Sequence, residues 1–350
     1  MEWAAAGCTT KIFTDQVLQW VRGQGKILIV VHDNPDPDCL ASAMALRHLF
    51  VVKLNRDATI AFSGMIGRSE NIAMAKELEI PLTPMGVLNL REFQVICMLD
   101  TQPGTGNNSL PAGVKVDLLI DHHPLKESSK SCRWIDVRED YGVTATIVYE
   151  YLHAQEVGIS TKLASAIFYA IKSETQDLGR EAAKPDREAY LRLFPRANKK
   201  LLYEITHPKL PIEYFLTMGR ALENTKIYKH VVITNLSHVS FPEIVAEMAD
   251  LLLRLEGIDI VLCMGHYATE MLLSVRTSRQ DLNAGSLIRR LVVGRGLAGG
   301  HGMMAGGKIN GVGSSPDARG EVETLLTMRI LEELSLTGVP PVFLHNSGHQ

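Results

Sequence analysis

The segment His32-Asp33-Asn34-Pro35-Asp36-Pro37-Asp38 offers one imidazole and two carboxylates, from His32, Asp36 and Asp38, within seven residues. These are the nitrogen and hard oxygen donors that suit Mn²⁺ or Mg²⁺. Pro35 and Pro37 stiffen the segment and help hold the carboxylates apart at a fixed spacing. The same composition also fits a solvated turn, so the segment alone leaves both readings open. Asp100 follows one apolar run and Asp121-His122-His123 follows another. Singly, each reads equally well as a cap or a satisfied histidine. Jointly they supply a carboxylate able to bridge, carboxylates to flank it and neutral imidazoles, which is what a two-metal hydrolytic centre requires.

Something must bring these groups together. Apolar runs at 27–31, 58–62, 95–99 and 116–120 read as strands buried on both faces of a parallel sheet. Helical patterns lie between and after them, at 40–50, 69–78, 145–152 and 163–171. Strand alternating with helix predicts an α/β fold with an N-terminal, doubly wound, mainly parallel sheet domain. In such sheets ligands bind beyond the carboxyl ends of the strands, which is where the acids and histidines fall. A charged stretch at 179–200, with Pro185 and Pro195, reads as the approach to an inter-domain connection. A smaller C-terminal α/β domain follows, with strands at 231–235, 258–264 and 270–275, helices at 242–255 and 284–293, and a glycine-rich loop at 294–307. The expected division is a catalytic domain at 1–195, a linker at 196–225 and a second domain at 226–350.

The chain has 350 residues, 46% hydrophobic and 21% charged, enough apolar material for two cores. Its formal net charge of −3 argues against a general nucleic-acid coat or a grip on long duplex, and leaves room for a local basic cleft. Cys8, Cys39, Cys97, Cys132 and Cys263 are scattered and odd in number, which predicts a reducing, cytoplasmic setting rather than a disulfide framework. No signal-peptide layout and no membrane-spanning run is read, so no membrane partner is expected. A homodimer is left open.

The order of these motifs resembles the DHH phosphoesterases: Asn-Pro-Asp-x-Asp at 34–38, an isolated Asp100, then Asp121-His122-His123. The family's fourth motif, an Asp in a Thr-Asp-Thr context, is matched by Ser173-Glu174-Thr175, so Glu174 stands where the family has aspartate and Asp177 is the alternative carboxylate. Leu273-Ser274-Val275-Arg276-Thr277 is similar to the family's strand with a substrate-binding arginine. The segment at 298–307 is similar to the Gly-Gly-Gly-His-x-x-Ala-Ala-Gly signature of the DHH-associated domain, with Ala298 and Gly306 as departures.

The resemblance implies two divalent ions, Mn²⁺ first with Mg²⁺ or Co²⁺ as alternatives. His32 and Asp36 would hold one; Asp38, His122 and Glu174 the other; Asp100 would bridge. His123 and Asp100 would act in catalysis, and Asp121 would orient a histidine. Arg276, Thr277, Gly299, Gly300 and His301 would bind substrate. The implied activity is hydrolysis of short oligonucleotides, linear dinucleotides or 3′,5′-bisphosphorylated adenosine (pAp). The alternative is a catalytically weak nucleotide-binding or regulatory protein of the same fold. Gly294 to Gly299 also fits G-x-G-x-x-G, but it follows a helix-like segment instead of a strand, so no dinucleotide site is read there.

Overall fold

The computed structural model describes residues 2–179, 182–313 and 315–345; the side chains of residues 2–8, Cys8 included, and of His301 lie outside the described residues. Contacts divide the chain into two units, Met1–Pro208 and Lys209–Gln350.

The first unit runs α1 (Glu2–Arg22), β1 (Lys26–Val30), α2 (Pro37–Leu54), β2 (Ala58–Phe62), α3 (Ser69–Glu77), β3 (Leu82–Pro84), β4 (Phe93–Leu99), β5 (Leu118–Asp121), β6 (Trp134–Val137), α4 (Thr144–Ala154), α5 (Thr161–Glu174), α6 (Lys184–Leu193) and α7 (Lys199–Thr206). Its six strands are ordered β3-β2-β1-β4-β5-β6 and every pair is parallel. That is the doubly wound order, and it reverses between β1 and β4. The run Lys-Ile-Leu-Ile-Val of β1 explains its central place. Ile27 and Ile29 pack with α2, α4 and α5 on one face, while Leu28 and Val30 pack with Ile96, Met98 and Leu119 on the other. Among the described residues, that second face is covered by loops and short 3₁₀ turns, with no α-helix.

The segment 196–225, expected as a linker, holds α7 and α8 (Ile212–Glu223), and the two units divide between them. The charged stretch before it forms α6, in which Pro185 sits in the first turn, where a missing N–H costs nothing. Arg180 of that stretch lies outside the described residues.

After α8 the second unit continues with β7 (Lys226–Tyr228), β8 (Val231–His238), α9 (Ile244–Leu252), β9 (Ile260–Tyr267), β10 (Glu270–Thr277), α10 (Ala284–Leu291), β11 (Gly296–His301), β12 (Met304–Ile309), α11 (Pro316–Glu333) and β13 (Val342–Phe343). Its mixed sheet is ordered β11-β12-β10-β9-β8-β7-β13, with only β8 and β9 parallel. Ile233, Leu262 and Leu273 face α10 and α11, whereas Val232, Val261 and Cys263 face α9.

One expectation is corrected here. The glycine-rich stretch at 294–307 is not a loop but an antiparallel hairpin, β11 with β12. Glycine is required at Gly300: its φ is +130°, and a Cβ there would lie 2.5 Å from the backbone of Ala305. No helix among the described residues is long and apolar enough to cross a membrane.

Candidate metal centre

The acids and histidines of the first unit converge at the carboxyl ends of β1, β4 and β5, beside the reversal in strand order. Asp36 caps α2, with Oδ1 accepting from the N–H groups of Asp38 (3.0 Å) and Cys39 (3.1 Å). That fixes Asp36 on the first turn and leaves Oδ2 3.3 Å from His32 Nε2. Asp38, 1% exposed, accepts from the N–H groups of Thr144 (2.8 Å) and Ala145 (2.7 Å), the first two residues of α4. The positive end of the α4 dipole therefore points at the acidic cluster.

Asp100 lies at the centre. Its Oδ2 is 3.5 Å from His32 Nε2 and its Oδ1 is 3.5 Å from His122 Nε2. Oδ1 also accepts from the Thr144 hydroxyl at 3.0 Å. Its backbone is left-handed, φ 57°, a conformation that aspartate tolerates better than most residues and that functional sites often hold. The N–H of Asp100 bonds Ile120 O, which anchors the turn to β5.

Both inner histidines are preset. Nδ1 of His32 lies 2.9 Å from Asp33 O and Nδ1 of His122 lies 3.2 Å from Tyr141 O. A carbonyl only accepts, so each Nδ1 donates and each Nε2 faces the carboxylates, the orienting pattern of metal-binding histidine. Asp121, fully buried, plays a different part. Its Oδ1 accepts from the N–H of His122 (2.8 Å), the N–H of His123 (3.1 Å) and His123 Nδ1 (2.8 Å), and its Oδ2 accepts from Gln102 Nε2 (2.8 Å). With all of these bonds made, Asp121 is an orienting group. His123 is 40% exposed and its Nδ1 is 3.7 Å from Asp100 Oδ1.

Electrostatics mark the cluster as short of positive charge. Burial, then the fields of Asp100, Asp36 and Glu174, push the Asp38 carboxyl well above its usual range. Burial, then Asp36 and Asp100, push Glu174, half-buried at the end of α5, up to about 8. Asp36 goes the other way: burial opposes its charge, but His32 and two backbone N–H groups hold it well below the usual range. Burial also opposes a charge on His123, yet the Asp121 hydrogen bond and the fields of Asp100 and Asp121 push it up to about 9. Carboxylates crowded until some must take protons are what divalent cations would relieve, and the oxygen and imidazole donors fit them.

Two regions of the chain match known families. Residues 26–171 match the DHH family, N-terminal domain, and residues 229–328 match the DHHA1 domain. The chain belongs to the DHH superfamily and carries a DHHA1 domain after its DHH domain. An uncharacterised protein of Methanocaldococcus jannaschii is 32% identical over 317 residues, 89% of this chain and 64% of that protein, so the chain spans about two thirds of that relative's length. Among solved structures, an exopolyphosphatase-related protein from Bacteroides fragilis aligns with a TM-score of 0.72 at 18% identity, over 92% of this chain and 97% of that one. The exonuclease RecJ bound to manganese aligns with a TM-score of 0.53 at 12% identity, over 95% of each chain. At these identities the likeness is one of fold, the DHH phosphoesterase fold.

In the DHH domain the expected metal residues His32, Asp36, Asp38, Asp100 and His122 stand together, and Glu174 shares their field. Asp177 does not join them: it is 55% exposed, bonded to Tyr190 at 2.9 Å and 3.4 Å from Lys172. Three further residues have structural parts that the sequence reading did not assign. Thr144 ties Asp38 to Asp100. Gln102, fully buried, holds Asp121 and bonds the carbonyls of His123 and Pro124. Cys39 lies with His32 and Asp36, their donor atoms all within 4.8 Å of one another.

In the DHHA1 domain, cross-strand register sets Arg276 opposite Met304 and Met304 opposite His301, so these three lie in one row. Arg276 is 7% exposed; its Nε bonds Asp250 at 2.6 Å and one terminal nitrogen bonds Ser274 at 2.8 Å. Thr277 is fully buried and its N–H bonds Met303 O at 3.0 Å. Gly299 and Gly300 are exposed on β11, which is an edge strand of the sheet.

Proposed function

We propose that this chain is a divalent-metal-dependent phosphoesterase whose substrates are short oligonucleotides, linear dinucleotides or pAp. The observation that supports it most is Asp100, equidistant at 3.5 Å from the inward nitrogens of His32 and His122. A carboxylate between two imidazoles, each turned by its own backbone carbonyl, suits a ligand shared by two ions. His32 and Asp36 would hold one ion, and Asp38, His122 and Glu174 the other. Bound divalent ions, Mn²⁺ or else Mg²⁺ or Co²⁺, supply Lewis acidity, making water more acidic and offsetting charge on the phosphoryl group.

The chain's own groups do the rest. His123, its Nδ1 held by Asp121, would present its outer nitrogen to a phosphoryl oxygen or to the leaving oxygen. Asp121 and Gln102 keep that ring in place. In the DHHA1 domain, the guanidinium of Arg276 and the edge strand at Gly299, Gly300 and His301 would grip phosphate, with Thr277, whose N–H is bonded to Met303 O, at the end of the same strand as Arg276. The net charge of −3 favours a small ligand over a long polyanion. Cys39, Cys97, Cys132 and Cys263 are buried free thiols, which suits a reducing cytoplasm.

Hydrolysis of labelled dinucleotide, pentanucleotide and pAp, with Mn²⁺ and with chelator, tests this reading. Metal-dependent release of mononucleotide or AMP supports it and ranks the substrates. No turnover by folded, metal-loaded protein on any of the three would contradict it and leave nucleotide binding as the function.

A further inference from the structure

The position built on His32 and Asp36 contains a donor unlike those of the position built on His122. Cys39 is the third residue of α2, and its side chain is fully buried. Its N–H bonds Asp36 Oδ1 and its thiol bonds Asp36 O at 3.4 Å, so the helix start itself holds sulfur over Asp36. The donor atoms of His32, Asp36 and Cys39 lie within 4.8 Å of one another, and Asp100 Oδ2 is 3.5 Å from the same His32 nitrogen. One nitrogen, two carboxylate oxygens and one sulfur make a four-donor set of the kind that Zn²⁺ and Co²⁺ accept and Mg²⁺ does not. Among the described residues, the other position gathers His122, Asp38, Asp100 and Glu174, with His123 beside Asp100, and no sulfur.

Resting on the two-metal reading above, we propose that Cys39 is a ligand of the ion at His32 and Asp36, so that this position selects thiophilic divalent ions while its neighbour remains a hard-ion position. The centre is then intrinsically unsymmetrical in its choice of metal. Binding forms the metal–sulfur bond as the thiol proton leaves to buffer, with no change of oxidation state. A buried Cys39 that is merely a small apolar residue of the core would show none of this.

The test uses the full chain, titrated with Co²⁺ under reducing conditions, with absorption read in the visible and the near ultraviolet. Visible d–d bands report that Co²⁺ is bound; a near-ultraviolet sulfur-to-cobalt charge-transfer band reports a thiolate ligand. Wild type is expected to show both. Cys39→Ala and Cys39→Ser are expected to keep the d–d bands and lose the charge-transfer band. In competition, Cys39→Ser should weaken Cd²⁺ binding by about tenfold or more while shifting Mg²⁺ far less, since disturbing even the outer partners of a metal costs on that order. Bound Co²⁺ without charge transfer in wild type, or a charge-transfer band surviving in both variants, overturns the role of Cys39 and leaves the metal centre standing. Absence of any d–d band from folded protein overturns the metal centre itself. Equal weakening of Cd²⁺ and Mg²⁺ in Cys39→Ser also overturns the selectivity.

Discussion

Arg276 in the DHHA1 domain and Asp38 and Asp100 of the DHH domain are all buried, with Glu174 half-buried, yet their surroundings differ. Arg276 has a carboxylate on its Nε at 2.6 Å and a hydroxyl on a terminal nitrogen at 2.8 Å, so its charge is met within its own unit. Asp38, Asp100 and Glu174 instead face one another, and burial with mutual repulsion pushes two of the three, Asp38 and Glu174, upward in pKa. The fold neutralises one charge and concentrates the others. Buried charge without internal compensation is costly, and it persists where a ligand supplies the missing charge. The contrast predicts opposite signs of response when each centre is neutralised.

The largest effect is expected at the shared carboxylate. Asp100→Asn should lower phosphoesterase turnover by about a thousandfold or more while the circular dichroism spectrum stays that of wild type. Retained turnover would break the comparison at its centre. Next comes the group that ties two of the acids together. Thr144→Val removes the hydroxyl at 3.0 Å from Asp100 and should cost about 10–100-fold in turnover, with Thr144→Ser restoring most of it. A positioning role also predicts weaker Mn²⁺ binding in Thr144→Val, measured by calorimetry, which a loss of packing alone would not produce.

Smaller effects carry the signs. Arg276→Ala removes the guanidinium that lies 2.6 Å from Asp250. Because Asp250 is 34% exposed, the loss should be about 1–3 kcal/mol of stability in the DHHA1 domain, read by urea unfolding. Glu174→Gln should do the reverse in the metal-free protein at pH 8, raising the melting temperature by about 2–4 °C for each kcal/mol of repulsion removed. The pH dependence has the same origin. Glu174 rises from an ordinary 4.5 to about 8 on folding, Asp38 rises too, and His123 rises to about 9. A group whose pKa is raised by folding contributes stability below its unfolded value and loses it as pH climbs through the folded one. Metal-free protein should therefore melt progressively lower between pH 5 and pH 8, more shallowly in Glu174→Gln, and added Mn²⁺ should stabilise it most at the upper end. A flat profile in the metal-free protein would show that the carboxylates do not repel one another as described.

Much of the DHH domain's site is legible in the amino-acid sequence. The first-domain acids follow apolar runs, and a run buried on both faces announces a central parallel strand whose end is where ligands bind. His32, Asp36, Asp38, Asp100 and His122 stand out in that way, and Glu174 by its place in the fourth motif. The strands β3 and β6 are not legible in this way: at three and four residues long, they are too short to show a period. Thr144 and Gln102 escape a sequence reading because they act across the fold, whereas Cys39, only three residues from Asp36, escapes it because a lone buried cysteine reads as a small core residue. Thr144 meets Asp38 and Asp100 from 106 and 44 residues away, and no local spacing encodes that. The glycine hairpin reads as a loop in sequence because glycine is unfavourable in strands; here Gly300 is needed for close approach to Ala305.

The number of ions that the acidic cluster holds is the most direct measure of a centre shared through Asp100. Titration of the full chain with Mn²⁺, followed by loss of the free-ion paramagnetic resonance signal, counts them. Two ions per chain in wild type, falling to one or none in Asp100→Asn, is the predicted result. No bound ion in folded wild-type protein, or the same two in Asp100→Asn, would contradict a centre built around a shared Asp100.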